Sequence, residues 1–242
     1  MSKKDNIYAD QLEQVESFNF DQKVVEVFPD MIKRSVPGYT SIIDGIGQLA
    51  KKYAQPHSSI YDLGCSLGAA TLSIREAVND KTSKIIAVDN SKAMIERCTL
   101  IQSGYNFAMP VDVIEADISD LKFENASFVV LNFTLQFLPR DQRQTLLNNI
   151  YQGMNPGGAL VLSEKLTMGS TSLDHNIIDI HHDFKKQNGY SDMEIAQKRA
   201  ALENVLIPDT REQHYQRFVK AGFSQFDTWF QHYNFASFIV VK

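Results

Sequence analysis

Four polar residues recur at the ends of apolar, strand-like runs: Asp62 in IYDLG, Asp89 in AVDN, Asp117 in EADI and Asn132 in LNF. Three of them are carboxylates, the groups with which a protein holds cations and hydroxyls of a small ligand. Asp62 stands two residues before Gly64 in GCSLGA, which spells a degraded dinucleotide loop G-x-G-x-x-A with Ser66 in the middle glycine's place. Such a loop seats a pyrophosphate on a helix N-terminus. A carboxylate a few residues away opposes that, because like charges repel strongly in a low-dielectric interior. A phosphate-free ligand carrying cations is favoured instead, and S-adenosylmethionine carries both an ammonium and a sulfonium.

The other positions suit the same ligand. Asp89 follows Gly68 by about twenty residues, where an acid can accept both ribose hydroxyls. Asp117 can accept the adenine amino group while Ile118 supplies an apolar wall. Asn132 comes near the methionine portion and the sulfonium if the strands take their usual order. Each aspartate alone has a plainer reading as a helix cap or turn former; regular recurrence at successive strand ends is what points to a site. Cys65 lies inside the glycine turn, near a helix N-terminus that lowers a thiol pKa. No base adjoins it in sequence, so packing or backbone contact is its expected role.

Positioning these residues requires strands that alternate with helices. From residue 58 onward, strand-like runs SSIYDLGC, KIIAVDN, VDVIEADI, SFVVLNFTLQF and ALVLSEKL are separated by helical patterns over residues 68–79, 91–104 and 140–154, with a turn at Asn155-Pro156-Gly157-Gly158. That alternation predicts an α/β fold with a mostly parallel sheet covered on both faces, its ligand at the carboxyl ends of the strands. Residues 24–34 and 41–53 have helical apolar spacing around Val36-Pro37-Gly38, so residues 1–55 form an N-terminal helical cap on an α/β unit of residues 56–242. The whole is read as one domain. Two consecutive helices over residues 171–188 and 191–205 are an insertion after the fifth strand. A helix over 210–221 ends at Gly222, and FDTWFQHYNF with ASFIVVK predicts a C-terminal antiparallel hairpin. Its aromatics, Phe226, Trp229, Phe230, Tyr233 and Phe235, read as a buried sheet face rather than a base-stacking platform.

Composition narrows the partners. The 242 residues carry a net charge of −5, and 22% are charged. No apolar run approaches the ~20 residues of a bilayer span. The N-terminus MSKKDNIYADQLEQVES lacks the apolar core of a secretory signal. Two cysteines without a CxxC spacing point to a reduced, cytoplasmic setting. Basic residues occur as scattered pairs, Lys33-Arg34, Lys51-Lys52, Lys185-Lys186 and Lys198-Arg199, which read as solvated faces. A chain without a basic stripe is poorly equipped for nucleic acid, so a small molecule is the expected partner. His175, Asp179 and His182 share one helix face with metal-ligand chemistry, but no closed four-ligand set is evident and a solvated face is expected.

The motifs YDLGCSLGAAT, AVDNS, EADI, LNFTLQFL and NPGG, with the closing hairpin, resemble class I S-adenosylmethionine-dependent methyltransferases over nearly the whole chain. The resemblance implies a Rossmann-like, seven-stranded sheet. More narrowly, DLGCSLGAATLS, VPGY around Tyr39 and QKRAALENVL around Arg199 resemble the carboxy-S-adenosyl-L-methionine synthases. That family converts S-adenosylmethionine and prephenate to carboxy-S-adenosylmethionine and phenylpyruvate, and a partner enzyme uses the product on wobble uridine in tRNA. The resemblance implies a ligand site of Tyr39, Gly64, Cys65, Ser66, Asp89, Asn90, Asp117, Ile118 and Asn132 beside Asp62, a homodimer, and Arg199 holding the added carboxylate. It also makes serine, where the broader class has glycine, the expected residue at position 66.

A guanidinium binds a carboxylate bidentately; the plainer role of Arg199 is an ion pair with Glu194 or Glu203. A sulfonium acidifies its methyl protons, so an ylide can capture carbon dioxide as prephenate aromatises. The protein's part is then proximity and water exclusion, with no side-chain base required. Prephenate is a dianion, for which Arg199 is one cation; Arg34 and Lys33 are further candidates whose ordinary place is the surface. The alternatives are a conventional small-molecule methyltransferase, a silent S-adenosylmethionine-binding module, and a nicotinamide oxidoreductase that Asp62 opposes.

Overall fold

The computed structural model describes residues 3–242. One seven-stranded sheet runs in the order β3-β2-β1-β4-β5-β7-β6. Its strands are β1 Ser59–Leu63, β2 Lys84–Asp89, β3 Val111–Glu115, β4 Ala126–Asn132, β5 Met154–Lys165, β6 Gln225–His232 and β7 Phe235–Val241. Neighbours from β3 through β5 are parallel, and β7 is antiparallel to both β5 and β6. The central strands β1 and β4 are buried on both faces, which is why β4, ASFVVLN, is almost continuously apolar, whereas the edge strand β3 is partly exposed.

Helices cover the two faces. On one side α2 (Tyr39–Tyr53), α3 (Ala69–Ala77) and α4 (Lys92–Ser103) pack Ile42, Ile46, Ile74 and Cys98 over Ile60, Ile85 and Phe128. On the other, α5 (Arg140–Gly153) and α8 (Arg211–Ala221) pack Leu147, Ile150 and Phe218 over Val129, Leu160 and Phe238. Helix α1 (Gln22–Ser35) starts at Asp21, whose carboxylate accepts the Val24 N–H at 3.0 Å, and lays Val24, Val27 and Met31 near Met94 of α4. The insertion comprises α6 (Thr171–Gln187) and α7 (Asp192–Leu202), the latter opened by a Ser191/Glu194 capping box.

Three sequence expectations are corrected. Asn155 to Gly158 do not separate α5 from a later strand: β5 begins at Met154, and these residues bulge out between the pairs Ala126↔Met154 and Phe128↔Ala159. The bulge is satisfied by the C-terminus, since Gly157 N donates to Lys242 O at 2.8 Å and Lys242 N to Gly158 O at 3.0 Å. The C-terminal aromatics do not share one face. A register shift between Thr228 and Phe230 leaves Phe226 in the core under α8 while Trp229 and Phe230 pack beside α2. The basic pairs are not uniformly solvated, as described below. No helix among the described residues is long and apolar enough to cross a membrane.

Candidate functional site

Gly64 and Cys65 both donate their N–H to Val88 O, at 2.8 and 2.9 Å, and Ser66 N donates to Asp89 Oδ2 at 2.9 Å. The glycine turn is thereby tied to the end of β2. Three successive N–H groups of the turn are thereby used within the fold, which leaves fewer donors for a phosphate at this turn. The sequence places glycine at 64 because a Cβ there would lie 2.4 Å from Thr134 Oγ1, whose hydroxyl donates to Leu63 O at 2.8 Å. Ser66 adopts φ 51°, the left-handed conformation in which glycine is the usual residue.

The turn lines a cavity of about 540 Å³ at the carboxyl edge of the sheet. Tyr39, Asp62, Gly64, Cys65, Ser66, Asp89, Asn90, Asp117, Ile118 and Asn132 all reach its wall. Asp62, 1% exposed, accepts both the Thr71 N–H and hydroxyl on Oδ2. Burial pushes its carboxyl up to about 6, against those hydrogen bonds and with the Asp89 charge adding to the rise. Asp89 ends β2 and also accepts the Ser91 N–H on Oδ1 at 2.9 Å. Burial and the charge of Asp62 raise the Tyr39 phenol above its ordinary range, so it stays a hydrogen-bond donor. Asn132 Oδ1 is buried and unpartnered. A buried amide oxygen without a partner is costly, and its place in the cavity wall leaves it an open acceptor there.

Two placements differ from the strand-end pattern. Asp117 lies beyond β3, which stops at Glu115; it caps a one-turn 3-10 helix, accepting the Ser119 N–H at 2.8 Å. Arg199 is exposed and does not line the cavity; α7 turns Lys198 inward instead. Glu194, one of the partners expected for Arg199, is engaged in the capping box of α7. Of the remaining candidates, Arg34 is a structural tie: Nε donates to Asn188 O at 2.7 Å, Nη1 to Asp30 at 3.1 Å, and the guanidinium lies 3.8 Å over the Tyr190 ring. Lys33 is exposed at the cavity mouth. Cys65 is buried and kept a thiol by Cys98 and by desolvation. His175 and Asp179 lie exposed on α6.

Residues that sequence reading missed form the far wall. Lys165 ends β5, Lys185 and His181 come from α6, and Lys198 from α7. By sequence, Lys185 and Lys198 belong to pairs expected to be solvated. Adjacent residues on a helix point about 100° apart, so each pair sends one member in and one out. His181 donates Nε2–H to Ser35 O at 2.7 Å, and burial with the Lys185 and Lys165 charges holds it neutral, down to about 2. Burial lowers Lys198 to about 8; Lys185 is lowered to about 7 by burial and then by Lys165, Lys198 and Arg199.

Comparison with known proteins identifies this architecture. A family model described as a methyltransferase domain matches residues 60–158. A carboxy-S-adenosyl-L-methionine synthase of Vibrio cholerae is 55% identical over 242 residues, covering 100% of this chain and 98% of the relative. The chain belongs to the carboxy-S-adenosyl-L-methionine synthase family. A synthase of the same name from Aliivibrio fischeri is 52% identical with full coverage of both chains. Human N-acetylserotonin methyltransferase, solved in complex with SAM, shares the fold of this synthase-family chain at 16% identity and TM-score 0.58, covering 91% of this chain and 55% of that one. The resemblance to class I methyltransferases thus holds for the fold, and the narrower family is the one the sequence motifs indicated.

Proposed function

We propose that the chain converts S-adenosyl-L-methionine and prephenate to carboxy-S-adenosyl-L-methionine and phenylpyruvate. The observation that carries this reading is how charge is sorted within one cavity. Asp62, Asp89 and Asp117 come from β1, β2 and the loop after β3, whereas Lys165, Lys185 and Lys198 come from β5, α6 and α7. Asn132, on β4, stands between the two halves. The acidic half suits a cationic nucleoside, with Asp89 and Asn90 at the ribose, Asp117 and Ile118 at the adenine, and Asp62 at the ammonium. Asn132 Oδ1 faces the sulfonium, and Tyr39 donates to the ligand's carboxylate. Gly64, Cys65 and Ser66 supply the backbone turn beneath it.

The reaction balances without a redox partner. A carbon–carbon bond forms between the sulfonium methyl and the carboxyl carbon that prephenate loses; the methyl proton and the departing hydroxide leave as water. Side chains here hold the two reactants side by side and exclude water. Phe18, Phe20 and Phe137 wall the cavity, with the Phe20 and Phe137 rings 5.4 Å apart. Arg199 lies outside the cavity wall, at the outer edge of the lysine cluster, and in this reading its long side chain turns inward to take the added carboxylate. Arg199→Ala is expected to weaken retention of the product far more than of S-adenosylmethionine; equal losses overturn that role.

The product is the carboxymethyl donor for a tRNA wobble-uridine carboxymethyltransferase, in the cytoplasm, where Cys65 and Cys98 stay reduced. A homodimer is part of this reading, supported by Leu173 and Ile180 exposed on α6. The test is to incubate the purified protein with S-adenosylmethionine and prephenate and follow both products by mass spectrometry. A nucleoside heavier by one carbon dioxide unit, formed together with phenylpyruvate, supports the synthase. S-adenosylhomocysteine alone points to a methyltransferase or a silent binder.

A further inference from the structure

Lys165, Lys185 and Lys198 are separated by 20 and 13 residues in sequence yet line one cavity wall. Lys198 is 6% exposed; it donates to Ser35 Oγ at 3.1 Å and has Asp5 at 3.5 Å. Lys165 and Lys185 are half-buried, and among the described residues no carboxylate lies within 4.0 Å of either ammonium. Gathering three ammonium groups in a partly desolvated wall with one carboxylate between them destabilises the empty chain. Such an arrangement is kept where an anion completes it.

Place and floor define the anion. Asn132 pairs with Ser163 across β4 and β5, so Lys165 lies two residues further along the adjacent strand, away from Asp89 and Asp117. An anion held by Lys165 therefore sits at the sulfonium end of the site. Phe235 lies under this wall, its ring 4.9 Å from the His181 ring, 6.0 Å from the Phe133 ring and 6.0 Å from Lys165 Nζ. Three cations above an apolar floor fit a small carbocyclic dicarboxylate. We propose that Lys165, Lys185 and Lys198 bind the carboxylates of the dianion that donates the carboxyl group, with Phe235 under its ring. This assignment rests on the reaction proposed above.

The test is to measure, for Lys165→Gln and Lys185→Gln, the KM for prephenate and, separately, the Kd for S-adenosylhomocysteine by calorimetry. A lost charge-assisted hydrogen bond weakens binding by about 10- to 100-fold. The expected result is that rise in prephenate KM with the nucleoside Kd unchanged within about threefold; Lys185→Arg restores most of the affinity. An unchanged KM, or equal losses for both ligands, overturns the assignment. If the wild-type chain turns over no prephenate, the proposed reaction fails. The lysine site is then judged by prephenate and malonate binding to the nucleoside-loaded protein. Binding that Lys165→Gln and Lys185→Gln abolish sustains the site, and no binding, or binding the variants retain, refutes it.

Discussion

Thr71 holds Asp62 through one carboxylate oxygen: its backbone N–H lies 3.0 Å and its hydroxyl 2.6 Å from Asp62 Oδ2. The two bonds aim the carboxylate from β1 into the cavity and partly offset the burial that raises its pKa to about 6. A nearby ligand cation favours the ionised form, so binding expels a proton wherever free Asp62 is protonated. Affinity for S-adenosylmethionine is therefore expected to rise from pH 5 to pH 7, by up to about tenfold per unit, and then level off. A pH-independent Kd over that range sinks the assignment. For the unliganded fold the sign is opposite: the raised pKa adds stability below the unfolded value, and that stability is lost as pH rises through about 6.

Thr71→Val keeps the shape and the backbone bond but removes the hydroxyl. Hydrogen bonds to charged groups contribute about 1.5–3 kcal/mol, so a loss of that order is expected at neutral pH, read from the urea midpoint. The pH midpoint of ligand binding moves upward in the same variant.

Ser66 stands at φ 51° and its hydroxyl reaches Met94 Sδ at 3.4 Å. Glycine relieves the left-handed strain, on the order of 1–2 kcal/mol, but costs about 0.5–1 kcal/mol in chain entropy. Ser66→Gly is expected to leave the melting temperature unchanged or slightly raised, with the Ser66 N–H to Asp89 bond intact. Ser66→Val, β-branched in the same conformation, is expected to lower it clearly.

Asp209 is fully buried among three guanidinium groups: it pairs with Arg143, with Arg217 at 2.8 Å and with Arg140 at 3.1 Å. Arg143 in turn donates to the carbonyls of Gln136, Leu138 and Ile207, pinning the backbone next to the cavity wall. Asp209→Ala strands buried cations, a loss of about 3–5 kcal/mol. That corresponds to roughly 6–20 °C in thermal denaturation for a chain of this size. A shift under about 2 °C contradicts the network's role.

Lys185 faces Lys165 from β5, Lys198 and Arg199 from α7, and His181 and His182 from its own helix. With its pKa lowered to about 7, the free site loses charge above neutrality, and an incoming anion must restore it. The prephenate KM is expected to rise between pH 7 and pH 9 and to flatten in Lys185→Arg. A flat wild-type profile contradicts this.

The acidic half of the candidate site was legible from residue types alone, in that these residues line one cavity. Asp62, Asp89 and Asn132 sit at or next to the ends of strands whose apolar runs are local, and a parallel sheet places such ends along one edge. Asp117 was found as a residue but displaced as an element, because the chain leaves β3 two residues early to form a capped turn. The basic half was not legible. Lys165, Lys185 and Lys198 share no spacing, and the choice of Lys198 over Arg199 depends on how α7 is rotated against the sheet. Sequence by itself determined the alternation, the strand-end acids and the family. Only the tertiary structure decided which cations line the cavity, because a helix's rotation about its axis is set by what it packs against.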